Sequence, residues 1–565
     1  MPNSGTASAR KLIVRGATHA LRFLRHHLGE TLLAVAVLYA GERLLDHLWL
    51  GQPLRTLFSD SLVSLPALVL LSLALFNITA LPARLAISLG LFFTHYAQYA
   101  FQSYYGRFLG EGELRLAAAN PSHEFIASVE LYFSGAAFLA ALAITALYAL
   151  LLFRRKRASA SYQRASFALL GLLSWCVLVD EALPSQEIYS PTFALAATNV
   201  RLGISRTHEI GLERPMRHKA PAPQNQASHF DVIYIIGESL RADRFSATAY
   251  GRNVTPLLSS LQLPHVSFEN VTSHGDCTDR SVPLLMVEPV HSVYSDLFQS
   301  PSLFSYAKSA GYRTAFISAN DNLWPEFVGD EIDVLHRNVA PAVGLDKWTF
   351  GSDNEMLPII TALAHSPDRQ FLVVETYAAH WPYGDRYMSC PECRVYRPDL
   401  NGKAAAFSEE NREQIVNSYD NAVIYFDRFV AKLIGGLRKS TLIVITSDHG
   451  ESLGEDGKWG HCSAASEQVL VPLMLIATDD SVARAAGFAS LSEKSAYPIS
   501  HANIFPTLVK TFGYSLGNLG IPYAPDLDAL TLVSGSDRRV LVSAIGGTEA
   551  AESFGVVDAR RVLKR

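Results

Sequence analysis

Three uncharged, apolar runs crowd the first part of this chain: Ser61 to Ala83, Leu85 to Gly106 and Leu131 to Phe153. Each is at or above the roughly 20 residues that a helix needs to cross a bilayer. One such run could be a core helix of a large soluble domain; three in close succession point to a helical transmembrane bundle. Two further segments extend the pattern. Thr31 to Leu50 starts apolar and then carries Glu42, Arg43 and Asp46, and Ala165 to Val179 stops at Asp180-Glu181. Their charges are expected at an interface or facing the bundle interior. The reading is a five-helix transmembrane domain over residues 1–184.

Charge placement orients it. The leader holds Arg10, Lys11, Arg15, Arg22 and Arg25 with no acid before Glu30, and the segment after the fourth run reads Arg154-Arg155-Lys156-Arg157. Both are expected on the cytoplasmic side. The segment after the third run carries Glu111, Glu113 and Glu124 and is expected outside. Five spans starting inside place everything after residue 185 outside. The net charge of −5 and the lack of any base-stacking or phosphate-tracking module argue against a nucleic-acid partner.

Residues 185–228 read as membrane-surface helices followed by a linker, ending in the proline-rich stretch from Pro215 to Ser228. Over 229–565 strand and helix patterns alternate. Strand-like runs occur at 231–236, 314–317, 371–374, 441–446 and 471–476, with amphipathic stretches such as Arg412 to Leu437 between them. This alternation predicts an α/β domain with a mainly parallel sheet.

Two strands end in metal-competent groups. The run Asp231 to Ile236 stops in Gly237-Glu238-Ser239, and Thr441 to Thr446 stops in Ser447-Asp448-His449-Gly450. Reactive groups in open α/β sheets gather beyond the carboxyl ends of the strands. Carboxylate oxygens and an imidazole nitrogen suit zinc or a similar divalent ion. Asn320 and His380 follow two other strand-like runs. Thr272 to Pro283 offers hydroxyls and a thiol just before an expected helix start, where the helix field favours anions.

At these residues the chain resembles the membrane-anchored phosphoethanolamine transferases of Gram-negative envelopes, the group that includes lipid A modifiers and the mobile colistin resistance enzymes, within the alkaline phosphatase/sulfatase superfamily. The resemblance rests on Gly237 to Arg244, Tyr250 to Asn253, Thr278 to Pro283, Ala379 to Pro382, Ser418 to Ala422, Ser447 to Glu455, His461 and His501 to Thr507. It implies a sulfatase-like fold in which Glu238, Thr278, Asp448 and His449 hold zinc, one ion or two, and Thr278 is the nucleophile. It also implies phosphatidylethanolamine as donor, a lipid A, lipopolysaccharide-core or other glycan acceptor, and ping-pong transfer through a phosphothreonine. His380 and His461 would serve the phosphoryl group, a second zinc or proton transfer. Asn120 and Glu124 would meet the ethanolamine head group, and Asn320 is a further substrate-binding candidate. The implied location is the bacterial inner membrane, with the catalytic domain in the periplasm. The alternative is a phosphoglycerol transferase acting on a periplasmic glucan or similar polymer. A sulfatase would need an arginine at the fifth position of Cys277-Thr278-Asp279-Arg280-Ser281, which is absent.

The chain also departs from the family. His274 and Leu284 stand where the family usually has the cysteines that brace the nucleophile loop. Of five cysteines, Cys277 and Cys462 each adjoin an expected site residue, so a bridge between them is one hypothesis. Cys390-Pro391-Glu392-Cys393 allows a local bridge or metal binding.

Overall fold

The computed structural model of the chain describes residues 78, 80–105, 135–154, 219–245, 250–287, 300–319, 331–336, 353–400, 407–462, 465–518, 527, 539–541 and 554–556. The chain divides into two compact units.

The first contains helices α1 (Leu81–Tyr105) and α2 (Gly135–Arg154). Pro82 sits in the first turn of α1, where its missing N–H costs nothing. Ala137, Ala140, Ala141, Ile144 and Tyr148 of α2 are buried with Leu91, Tyr99 and Ala100 of α1. Small side chains at helical spacing allow such close approach. The polar residues turn inward: His95 and Gln98 are fully buried. Leu85, Leu89, Phe93, Leu139, Leu142 and Leu150 point outward.

Two of the five expected spans, Leu85 to Gly106 and Leu131 to Phe153, overlap these helices. Among the described residues, no helix is long and apolar enough to cross a membrane. α1 starts earlier than the uncharged run and takes in Arg84, while His95 and Gln98 dilute its apolar character. The spans expected at Thr31 to Leu50 and Ala165 to Val179 lie outside the described residues, as does most of the one expected at Ser61 to Ala83.

The second unit is built on an eight-stranded sheet. Its strands are β1 (Asp231–Gly237), β2 (His265–Thr272), β3 (Arg313–Ser318), β4 (Val334–His336), β5 (Gln370–Glu375) and β6 (Thr441–Ser447), followed after the hairpin β7 (Ser452–Leu453) and β8 (Trp459–Gly460) by β9 (Leu470–Ala477) and β10 (Ile499–Ser500). The order across the sheet is β10-β2-β9-β6-β1-β5-β3-β4. All neighbours pair in parallel except β9, which is antiparallel to both β2 and β6. The mainly parallel sheet is the expected one. Central strands are buried on both faces, which is why β1, β6 and β9 read as continuous apolar runs rather than alternating ones.

Three helices matter for the site. α3 (Thr278–Met286) follows β2 through a short loop, and α4 (Arg412–Gly436) packs Tyr419, Phe426 and Phe429 into the interior. α5 (Ile504–Thr511) buries Ile504, Phe505 and Leu508 in the core that also takes Phe304 and Tyr306.

Candidate active site and metal centre

Strands β1 and β6 lie in register, with Gly237 opposite Ser447, so Glu238 and Asp448 leave the sheet side by side. The chain turns sharply after Glu238. Ser239 adopts a φ of 60°, a conformation costing a non-glycine residue about 1–3 kcal/mol unless its surroundings fix it. Three hydrogen bonds do so. The Ser239 amide donates to Asp448 Oδ1 (3.1 Å), its hydroxyl to Glu238 Oε1 (2.9 Å), and its carbonyl accepts from the Tyr419 hydroxyl (2.6 Å). One strained residue thereby orients both carboxylates.

His449 is fully buried. Its Nδ1 donates to the Gly450 carbonyl at 2.7 Å, since a carbonyl only accepts, and Nε2 is turned toward the carboxylates. Gly450 is required here: a Cβ would stand 2.2 Å from the Glu467 carbonyl oxygen.

Thr278 is the first residue of α3, and Cys277 is its N-cap. The Thr278 hydroxyl does not cap the helix. It sits 2.7 Å from Asp448 Oδ2, 3.2 Å from Glu238 Oε2 and 3.1 Å from His449 Nε2. Ser281, one turn on, donates to the Asp448 carbonyl at 2.5 Å and ties the helix to β6. The helix start adds a field that favours negative charge near the hydroxyl.

The electrostatics suit this cluster to a cation. Burial would raise the Glu238 carboxyl, but the neighbouring His449 imidazolium outweighs it and holds the group well below its usual range. Burial, with Glu238 beside it, pushes Asp448 up to about 7. Burial would lower His449, yet Asp448 and Glu238 raise it to about 10. Two buried carboxylates this close call for a positive partner. Glu238, Asp448 and His449 offer donor atoms within 4.8 Å of one another. Two oxygens, a nitrogen and the Thr278 hydroxyl fit a zinc-like divalent ion.

A second group of potential metal donors, His449, Glu451 and His461, adjoins the first. His461 Nδ1 lies 2.8 Å from Glu451 Oε2, and its ring centre is 4.3 Å from that of His449. Glu451 is fully buried and also accepts from the Tyr383 hydroxyl. His380 approaches the same side, its ring centre 6.1 Å from that of His461, with Nδ1 bonded to the Trp381 carbonyl. Behind it, Asp353 accepts the amides of Tyr377 (2.7 Å) and Ala378 (3.1 Å), the latter at a φ of 25°.

The structure thus brings together Glu238, Thr278, Asp448, His449, His461 and His380. Asn120, Glu124 and Asn320 lie outside the described residues. Sequence reasoning gave no role to Glu451, Asp353 or His501. Glu451 and His501 stood inside quoted motifs, whereas Asp353 carries no local signal. Both open cysteine questions resolve to disulfides, Cys277–Cys462 and Cys390–Cys393.

Residues 231–514 match the sulfatase family. Phosphoethanolamine transferase EptA of Escherichia coli is 29% identical over 313 residues, covering 52% of this chain and 55% of that protein. The chain therefore spans about half the length of the curated relatives it matches. Among solved structures, the integral membrane lipooligosaccharide phosphoethanolamine transferase A from Neisseria meningitidis superposes with a TM-score of 0.60. That match has 21% identity and covers 85% of this chain and 95% of the other. The periplasmic domain of EptC from Escherichia coli, solved in complex with zinc, gives a TM-score of 0.50 at 18% identity, covering 61% and 97%. At these identities the two structural likenesses establish the fold.

Proposed function

Because the chain belongs to the sulfatase family, we propose that it is a membrane-anchored phosphoethanolamine transferase whose nucleophile is Thr278. The observation that carries this reading is the Thr278 hydroxyl within 3.2 Å of Glu238, Asp448 and His449. A threonine hydroxyl is a poor nucleophile unless a base or a metal activates it. A zinc ion held by Glu238, Asp448, His449 and Thr278 would supply Lewis acidity toward the hydroxyl and the phosphoryl oxygens.

In the first half-reaction Thr278 Oγ1 attacks the phosphorus of phosphatidylethanolamine, and the bond from phosphorus to the diacylglycerol oxygen breaks. The threonine proton has Asp448 Oδ2 as its nearest acceptor, at 2.7 Å. The departing oxygen takes a proton from His461 or His380. Glu451 orients His461 through Nδ1 and leaves Nε2 for that transfer. In the second half-reaction an acceptor oxygen, on lipid A, lipopolysaccharide core or another glycan, attacks the phosphothreonine. An acceptor hydroxyl passes its proton to the histidine that protonated diacylglycerol, and the Thr278 oxygen leaves, taking its own proton back from Asp448. The cycle is ping-pong.

The outward leucines of α1 and α2 and their buried polar residues support a membrane anchor, because a helix pair in lipid keeps its polar groups inside. With such an anchor, the charge pattern of the leader and loops supports a periplasmic catalytic domain.

The test is the intact mass of the full chain after incubation with phosphatidylethanolamine, wild type beside Thr278→Ala. The expected result is one phosphoethanolamine adduct on wild type alone. An adduct from phosphatidylglycerol instead would establish a phosphoglycerol transferase. An equal adduct on Thr278→Ala would remove Thr278 as nucleophile.

A further inference from the structure

His501 is fully buried beside the nucleophile loop. It follows β10, whose Ser500 pairs with Thr272 at the end of β2, so the imidazole arrives where the chain leaves β2 for Thr278. The Asn503 side chain fixes the turn by accepting the Ser500 amide at 2.9 Å.

The hydrogen bonds around the ring admit one protonation pattern. The His274 amide lies 3.1 Å from His501 Nδ1, and a backbone N–H only donates, so Nδ1 presents its lone pair. His501 Nε2 lies 3.1 Å from Thr446 Oγ1. The Thr446 hydroxyl spends its own proton on the Pro472 carbonyl, at 2.8 Å. Thr446 Oγ1 therefore accepts, and Nε2 carries the proton. The ring is neutral, with donors and acceptors matched from the loop to β9. Burial, with His274 next to it, holds this imidazole well below its usual pKa, in keeping with that form.

Both ends of the bridge lead to the site. His274 begins the stretch that reaches Thr278 through Cys277, and Thr446 is two residues before Asp448 on β6. We propose that His501 is a positioning residue. As the neutral Nε2–H tautomer it spans the His274 amide and the Thr446 hydroxyl, and so sets the distance between the Thr278 hydroxyl and the carboxylates of Asp448 and Glu238. A misplacement of about 1 Å at a reacting group can cost about a hundredfold in rate.

The inference rests on the transferase reading for its kinetic arm. In the full-length protein, His501→Leu removes both contacts. His501→Asn keeps an acceptor near the position of Nδ1, and His501→Gln keeps a donor near that of Nε2. With phosphatidylethanolamine as donor, His501→Leu is expected to lower kcat by about a hundredfold, with KM for the donor changed less than about twofold. His501→Asn should recover much of the loss and His501→Gln little, because the acceptor holds the nucleophile loop. A folded His501→Leu with near wild-type kcat would overturn the proposal, and so would rescue by Gln in place of Asn. If His501→Leu does not fold, the comparison of Asn with Gln decides. A second readout needs no turnover: histidine 15N spectra of the full chain, with the His501 signals assigned by their loss in His501→Gln. Protonated Nε2 with bare Nδ1 supports the proposal, and the opposite tautomer sinks it. A wild type silent toward phospholipids would defeat the transferase reading and leave the tautomer to decide this one.

Discussion

Cys277 is disulfide-bonded to Cys462 across 185 residues, and the two half-cystines immediately flank Thr278 and His461. The bond ties the nucleophile loop to the segment carrying His461, and the Cys462 amide adds a 2.8 Å bond to the Asp276 carbonyl. Chain-entropy arguments give about 5 kcal/mol for a crosslink of that span and about 2 for a short loop. The Cys390–Cys393 bridge is of the second kind, with a separation of 3. The double substitution Cys277→Ser/Cys462→Ser should therefore lower the thermal midpoint more than Cys390→Ser/Cys393→Ser. It should also lower turnover, because Thr278 and His461 lose their common brace. Calorimetry and transfer assays on both variants check this; equal effects would deny the brace any special role.

Thr278→Ala should leave a cooperative melt close to wild type. The residue is part-buried, and its hydroxyl bonds the site rather than capping α3. Transfer should fall by more than about a thousandfold, as removal of a nucleophile does. Thr278→Ser keeps the oxygen and should keep measurable turnover. Assays with a radiolabelled lipid donor would separate the three proteins.

Zinc binding should release protons and tighten as pH rises. In the metal-free chain His449 is raised to about 10, so the stability it contributes is complete below its ordinary value of 6.5 and lost as pH climbs through about 10. Coordination needs Nε2 bare, so at pH 7.5 the ion must displace that proton. Asp448, pushed up to about 7, gives up part of another below neutrality. Titration calorimetry in buffers of different ionisation enthalpy counts the protons. Binding independent of both buffer and pH between 6 and 8 would contradict the assignment of His449 as a ligand.

Asp353 offers a pH test away from the metal. Burial raises its carboxyl to about 6 against the ordinary 3.8, despite the two amides it accepts. A carboxyl raised in the folded state favours folding when protonated. Its contribution is thus fullest below about pH 4 and is lost as pH rises through about 6. Asp353→Asn cannot ionise. The thermal midpoint of this variant minus that of wild type should become more favourable between pH 4.5 and pH 7.5. A difference that stays flat over that range would show that Asp353 ionises without cost.

Glu238, Asp448 and His449 were legible in the chain because each follows directly on a strand whose apolar run announces it. The strand pattern fixes where such residues emerge, and parallel order fixes that they emerge together. The helix start pointed only to some hydroxyl or thiol within Thr272 to Pro283, and it was the family resemblance that singled out Thr278. Asp353 was not legible, since its role is to receive two amides from a turn far along the chain, and nothing local marks a residue for a distant backbone. The short strands β4 and β10 escaped for a related reason: they are too brief to show a period.

What the sequence determined by itself is the succession of buried strands and helices, and hence a mainly parallel sheet with carboxylates at its carboxyl edge. Periodicity and burial are properties of neighbouring residues, and the chain carries them in order. Only the tertiary structure decided which hydroxyl meets those carboxylates, that Cys277 finds Cys462, and which nitrogen of His501 keeps its proton. Each depends on distances of a few ångströms between segments remote in sequence. Those distances come from the packing of loops, and no local pattern encodes them.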